Sequence, residues 1–263
     1  MCRTCRRAAW LGVRTLIHKE VRRFLVVWVQ TLLGPIVFSL VLLLIFSLVH
    51  QGGGYAGTGV TYTQFLAPGL VVMSMMQNAF ANTSSSILIA KQSGVIADIL
   101  MAPLRPSALT TGFAVGGVAR GLVVGVLVGL TVLPFGAAPS GSIEAVGVLL
   151  AFGAAATLLF ALLGIVGGIW ARKMEHIAFM SQVVVAPLTL LSGTFYSVSA
   201  LPSAMANLIV LNPIFYIIDG FRCGYIGHAE SNLWLGIIVL SCTVVALFCL
   251  CTRLFATGYG LKP

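Results

Sequence analysis

The chain has 263 residues, of which 59% are apolar and only 8% are Asp, Glu, Lys or Arg. A soluble domain carries about a quarter charged residues, so there are too few charges here to clothe a water-exposed surface, and the apolar excess also excludes disorder. Lys and Arg number 15 against 6 acids, a formal net charge of +9. In so apolar a chain that excess reports either membrane topology or a nucleic-acid partner, and the positions of the charges decide between them.

The first feature is residues 9–24. Trp10, Val13, Ile17, Val21 and Phe24 recur at spacings of three and four, with Arg14, His18, Lys19, Arg22 and Arg23 between them. This pattern predicts an amphipathic helix with a basic face, suited to the cytoplasmic membrane interface. Ahead of it, Cys2 and Cys5 form a lone C-x-x-C. A structural zinc site needs four ligands and no second pair follows, so these are two reduced thiols and no metal is expected.

Six stretches are long and apolar enough to cross a bilayer as helices: 24–49, 65–90, 107–135, 145–171, 177–198 and 232–252. Pro35, Pro68 and Pro187 fall in or near them, which helices in lipid tolerate when neighbours satisfy the freed carbonyls. The first stretch is too long for the about 7–15-residue core of a cleaved signal and lacks a small-residue cleavage site, so it reads as a retained span.

Residues 91–106 read as a short segment between the second and third spans. Ser93 is placed to cap a helix that Pro103 ends, with Val95, Ile96, Ile99 and Leu100 apolar and Asp98 the only acid. Such a helix either rests on the bilayer or docks on a partner surface. The outer segment 199–231 carries two apolar runs, Ala204–Leu211 and Ile214–Phe221, separated by Asn212-Pro213 and preceded by Leu201-Pro202. Each is too short to cross about 30 Å, so they are expected to be re-entrant, serving packing or a lid over a pathway.

The charges alternate with these spans. Arg3, Arg6, Arg7, Arg14, Lys19, Arg22 and Arg23 lie before the first, Lys91 and Arg105 between the second and third, Arg172 and Lys173 between the fourth and fifth, and Arg253 and Lys262 at the end. The opposite loops, 50–64 and 136–144, contain no Lys or Arg. The positive-inside rule puts both termini in the cytoplasm, and a nucleic-acid partner is excluded because the charges form no single patch.

No Gly-Lys pair occurs, so there is no phosphate-binding loop of the G-x-x-x-x-G-K-[ST] kind, and H-E-x-x-H and G-x-S-x-G are also missing. His18, His50, His176 and His228 form no cluster, and no catalytic residue is assigned. Of the acids Glu20, Asp98, Glu144, Glu175, Asp219 and Glu230, none lies mid-span, and Asp219 is placed deepest. An ion-coupled secondary transporter, the alternative reading, usually needs carboxylates near the midplane. Arg120 sits near the centre of the third span, where a charge costs at least about 2.5 kcal/mol and faces the bundle or a cavity. It either attracts an anionic substrate group or serves a structural partner. Gly116, Gly117 and Gly121 around it allow close helix approach, and Asn78, Asn82, Ser84, Ser85 and Ser86 put polar groups in the second span, for helix bonding or to line a pathway.

Taken together, the basic helix at 9–24, PGLVVMSMMQNAFAN at 68–82, GVIADILMAPLRPSAL at 94–109, and SGTFYSVSALP through LNPIFYIIDGFR at 192–222 resemble the ABC-2 type permease family, the membrane subunits of one class of ATP-binding-cassette exporters. The resemblance covers essentially the whole chain. It implies an all-α membrane fold of six spans, with an N-terminal interface helix, a cytoplasmic coupling helix and a re-entrant outer segment, as a single transmembrane domain over 1–263. It also implies a multi-pass protein of the inner membrane, paired as a homodimer or with a similar permease, among membrane lipid. Separate ATPase subunits would bind ATP and Mg, with no cofactor in this chain. In that family the substrate path runs between the two permeases, and substrates are drugs, lipid-linked glycans and other amphipathic molecules. The implied coupling set is Val95, Ile96, Asp98, Ile99, Leu100, Pro103 and Arg105, with Asp98 in the family's acidic place. The candidates for pathway or gate are Asn78, Asn82, Arg120, Phe195, Asn212, Pro213, Asp219 and Arg222.

Overall fold

The computed structural model describes residues 3–49, 61–102, 104–135, 142–196, 209, 212–227, 229 and 231–261, the side chains of 3–9 and of 30 excepted. Its regular elements are helices: α1 (Arg3–Val26), α2 (Trp28–Val49), α3 (Tyr62–Gln92), α4 (Val95–Met101), α5 (Pro106–Val132), α6 (Ile143–Trp170), α7 (Met174–Thr194), α8 (Pro213–Ile226) and α9 (Leu233–Thr257). Five segments are apolar and long enough to cross a membrane: Thr31–Val49, Pro106–Phe135, Ile143–Trp170, Met174–Thr194 and Leu233–Thr257. They match five of the sequence-predicted spans to within a few residues, except that the helix breaks at Val27, so Phe24 lies in the last turn of α1 and does not begin the first span.

The remaining predicted span, 65–90, is inside α3, and it is not one of those five. At 31 residues α3 is the longest helix described, but Gln77, Asn78, Asn82 and Thr83–Ser86 make it more polar than the five spans. Its position explains how those groups are tolerated. α3 packs against α2, α5, α6 and α8, and most of its length is buried. A helix shielded by other helices need not satisfy lipid. By contrast α2 and α9 turn Leu33, Val37, Val41 and Leu48, and Leu235, Ile238 and Val245, to the outside.

Apolar contact does little to drive helices together in lipid, so close approach and buried hydrogen bonds must do so. On α6, Gly164 and Gly168 lie against the backbone of α3: a Cβ on Gly164 would sit 2.5 Å from the Phe80 carbonyl oxygen, and one on Gly168 2.8 Å from that of Ser84. Here Thr83 Oγ1 donates to the Ala161 carbonyl at 2.9 Å. Ser39 and Ser74 hydroxyls meet at 2.9 Å between α2 and α3. On α5, Gly112 and Gly116 receive Leu16 and Glu20 of α1, each would-be Cβ lying 2.5 Å from the facing side chain. The four-residue step on both helices makes α1 run parallel to α5. The rings of Phe113 and Phe255 stack 6.0 Å apart in the apolar cluster at this end, joining α9 to it.

The face of α1 differs from the expected one. Leu16, Glu20 and Phe24 are buried, Val13, Ile17 and Val21 are half-buried, and Trp10 is 64% exposed. Apart from Phe24, which belongs to both, the apolar line chosen by periodicity is the neighbour of the buried one, because the glycines of α5 select the line that carries Glu20. A second correction concerns Ser93. It ends α3, its hydroxyl donating to the Ile89 carbonyl at 2.8 Å. The start of α4 is Gly94, whose φ of 75° is the left-handed conformation that favours glycine.

Candidate functional site

Three groups of the predicted residues are arranged along the bundle. The first is α4 and its flanks. Ile96 is buried, and Ile99 and Leu100 pack beside it against the cluster that includes Leu16, Ile87 and Leu109. Val95, Asp98 and Met101 are exposed, spaced by three so that they share one face. The predicted coupling set therefore divides into an anchoring half and an outward half. Met101, 75% exposed, was missed; its spacing from Asp98 could have found it. Arg105 is exposed and caps α5, its carbonyl accepting from the amides of Ala108 and Leu109. Pro103 lies outside the described residues. Leu104 packs where a Cβ on Gly12 would sit, tying this segment to α1.

The second group lies at the other end of α3. The last turn of α7 widens and kinks at Gly193, whose φ is 84°. Two residues hold that kink. Arg222 Nη2 donates to the Gly193 carbonyl at 2.6 Å, and its guanidinium lies 3.9 Å over the Phe65 ring. Asn212 Nδ2 donates to Ser192 Oγ at 2.9 Å, while its Oδ1 caps α8 by accepting from the Ile214 amide at 3.1 Å. Pro213 follows at the first helical position, where its missing N–H costs nothing. The Phe195 ring packs at a tilt against Phe46, centroids 5.1 Å apart, and the Phe195 carbonyl accepts from the Tyr62 hydroxyl at 3.0 Å. Asp219 is one turn away and 1% exposed; it accepts from the Ser231 amide at 2.8 Å and from its hydroxyl, bracing α8 to the start of α9. The first predicted re-entrant run, Ala204–Leu211, lies outside the described residues apart from Ile209, as do Leu201-Pro202. The second is part of α8, whose 14 residues reach about 21 Å at 1.5 Å each.

The third group is on the C-terminal half of α3. Arg120 Nη2 donates to Asn78 Oδ1 at 3.0 Å. One turn on, Arg23 Nη2 donates to the Asn82 carbonyl at 2.6 Å and to Asn82 Oδ1 at 3.0 Å, with Nη1 3.4 Å from Ser85 Oγ. Glu20, fully buried, accepts from the Ser86 hydroxyl at 2.7 Å and lies 3.4 Å from Arg23. Burial pulls the Arg23 guanidinium below its ordinary pKa while Glu20 draws it back up. Sequence reasoning put Arg23 on the solvent face of α1 and passed over Glu20. A single acid three residues from an arginine in a basic helix was the available signal. Asp219 is thus not the one deeply buried acid; Glu20 is its equal. Among the described residues no three His, Cys, Asp or Glu converge to hold a metal ion.

Comparison with known proteins accounts for this layout. The ABC-2 type transporter family model matches residues 12–226. The inner membrane transport permease YadH of Escherichia coli K12 is 37% identical over 255 residues, covering 96% of this chain and 98% of the relative. The daunorubicin resistance ABC transporter permease protein DrrB1 of Streptomyces coeruleorubidus is 28% identical over 240 residues, 86% of this chain and 78% of the relative. Nodulation protein J of Rhizobium meliloti is 27% identical over 240 residues, 89% and 90% of the two chains. With the family model over most of its length and a relative of 37% identity covered almost end to end, the chain belongs to the ABC-2 type transporter family.

Proposed function

We propose that the protein is the membrane subunit of an ABC exporter, a homodimer that moves an amphipathic drug, lipid or glycan-like molecule across the inner membrane. ATP, with Mg, is hydrolysed by separate partner subunits. The outward face of α4 carries this reading: Val95, Asp98 and Met101 are exposed on a helix whose other side is anchored in the bundle. A helix held this way transmits force from a bound partner to α1 and α3. The missing phosphate loop agrees, since the energy must then come from elsewhere.

Counting α3 as a sixth span completes the topology. Five crossings would separate Arg3–Arg23 from Arg253 across the membrane; six return both termini, and the basic segments between spans, to the cytoplasm. The α1 helix then starts at the cytoplasmic interface and α8 dips from the outer side. The kink at Gly193, held by Arg222 and Asn212, is the gate in this reading, and Asn78, Asn82 and Arg120 face the path on the inner half. The ion-coupled alternative would need a carboxylate free to exchange its ion. Glu20 is engaged by Arg23 and Ser86, and Asp219 by Ser231, which weighs against it.

The test is co-expression with candidate ATPase subunits and reconstitution into proteoliposomes. The expected result is co-purification, with ATPase activity that depends on this chain and ATP-dependent movement of an amphipathic cargo. Transport driven by a proton gradient and indifferent to ATP refutes the proposal.

A further inference from the structure

The inner cluster has an unbalanced charge. Arg23 and Arg120 are both cationic, and Glu20 is the acid described beside them. One carboxylate can neutralise only one of the two. Arg120 instead rests on the neutral amide oxygen of Asn78, which leaves one positive charge in surroundings of low dielectric. Donors are also left over. Arg23 Nε, Arg120 Nε and Asn82 Nδ2 are buried with no hydrogen-bond partner in the protein, and Asn82 is fully buried; the acceptor Glu20 Oε2 also makes no hydrogen bond but lies 3.4 Å from Arg23 Nη2 in the ion pair. Three unused N–H-bearing atoms around an excess positive charge are complementary to an oxyanion.

The spacing fits one group. Asn78 and Asn82 are a turn apart on α3, so their Cβ atoms are about 5–6 Å apart, and they hang the two guanidinium groups side by side. There is also a way in. From Leu66 to Ala90 every residue of α3 is buried except Gln77, Ala81, Ser85 and Ile89, which follow one another at intervals of four. This open line passes beside both asparagines. Its middle member is Ala81, too small to fill the space, and Ser85 already touches Arg23. The surfaces nearby are apolar: Val115 and Val123 of α5 and Leu25 and Val26 of α1 are exposed. An anion that reaches this place is therefore carried there on an apolar body. Ser85 is seven residues from the end of α3 at Gln92, about 10 Å at 1.5 Å per residue, the depth of a headgroup drawn in from the cytoplasmic leaflet.

We infer that Arg23 and Arg120 bind the phosphate or carboxylate headgroup of an anionic amphipath, which enters along the Gln77–Ala81–Ser85 line of α3. The inference rests on the transport reading and names its substrate class.

The test uses the purified full-length chain in neutral detergent, titrated with dioleoyl phosphatidic acid and followed by native mass spectrometry. Dioleoyl phosphatidylcholine and inorganic phosphate are the comparison ligands. Phosphatidic acid is expected to bind most tightly. The double variant R23Q/R120Q should weaken it by at least about tenfold, and R23K/R120K by less, because lysine keeps the charge but not the fork. Arg14→Gln, on the exposed side of α1, should leave binding unchanged. If the glutamine variant does not fold, Ala81→Leu blocks the open line without touching a charge and should also abolish binding. Phosphatidic acid binding that survives both R23Q/R120Q and Ala81→Leu overturns the site. Inorganic phosphate or phosphatidylcholine binding as tightly as phosphatidic acid overturns the ligand class. No ATPase enters this assay, so a failure of the transport reading is seen separately in the proteoliposome experiment.

Discussion

Replacing Gly164 with alanine separates packing from helix propensity. Within a helix, Gly→Ala favours the helical state by about 1 kcal/mol, so propensity alone predicts a more stable protein. The structure predicts the reverse. The new Cβ would sit 2.5 Å from the Phe80 carbonyl oxygen and 3.1 Å from Phe80 Cα, where non-bonded contacts want about 3.5 Å. Both are backbone atoms of the central helix, so α6 must move by nearly 1 Å, and overpacking of that kind costs about 1–3 kcal/mol. Thr83 Oγ1 is also in the way, and turning it aside loses its 2.9 Å bond to the Ala161 carbonyl. An interhelical bond in a membrane is worth about 0.6–2 kcal/mol. The net loss after the propensity gain is about 1–4 kcal/mol. Gly147→Ala, on the same helix with no atom within 4 Å of the new Cβ, is the control and should be neutral or stabilising. The assay is the midpoint of thermal loss of monodispersity in detergent, where Gly164→Ala should fall by several degrees. Equal midpoints for the two variants would refute the argument that α3 and α6 are in backbone contact.

Asp98→Arg should leave expression and membrane insertion intact while abolishing stimulation of the ATPase partner, since Asp98 is exposed on the outward face of α4; unchanged ATPase coupling in proteoliposomes removes that face from the interaction. Arg222→Ala takes away a charge-assisted bond and a ring contact at the Gly193 kink, a loss of about 2 kcal/mol or more. It should expose the outer end of α7 to protease and lower transport, and an unchanged digestion pattern would show the kink to be held without it. Lys91→Met removes an ammonium that donates at 2.6 and 2.7 Å to the Ile169 and Ala171 carbonyls at the end of α6. Faster hydrogen exchange at Trp170–Lys173 is expected, with the outer half of α6 unaffected.

Much of the fold was legible because a bilayer imposes strong, local rules. A run such as 232–252 must be helical whatever its neighbours do, since only a helix satisfies its own backbone in lipid. The same locality explains the misses. Ser93 is a good N-terminal helix cap in isolation, yet it closes α3 instead of opening α4, and the positive φ of Gly94 makes the turn. The stripe on α1 was displaced to its neighbour because periodicity ranks residues by polarity, whereas burial depends on what stands opposite. Glu20 is buried because Gly116 leaves room for it and Ser86 offers a proton.

Composition and span lengths were sufficient for an all-helical chain with several membrane-spanning segments. These are properties of single segments in contact with solvent or lipid, and each segment reports them alone. Only the tertiary structure decided which helix sits at the centre, which half of α4 faces outward, and that Arg23 and Arg120 share a cluster with one carboxylate. Those outcomes depend on which surfaces of different helices meet, and residues as far apart as Glu20 and Ser86 must be brought together before their charges and hydrogen bonds can be counted.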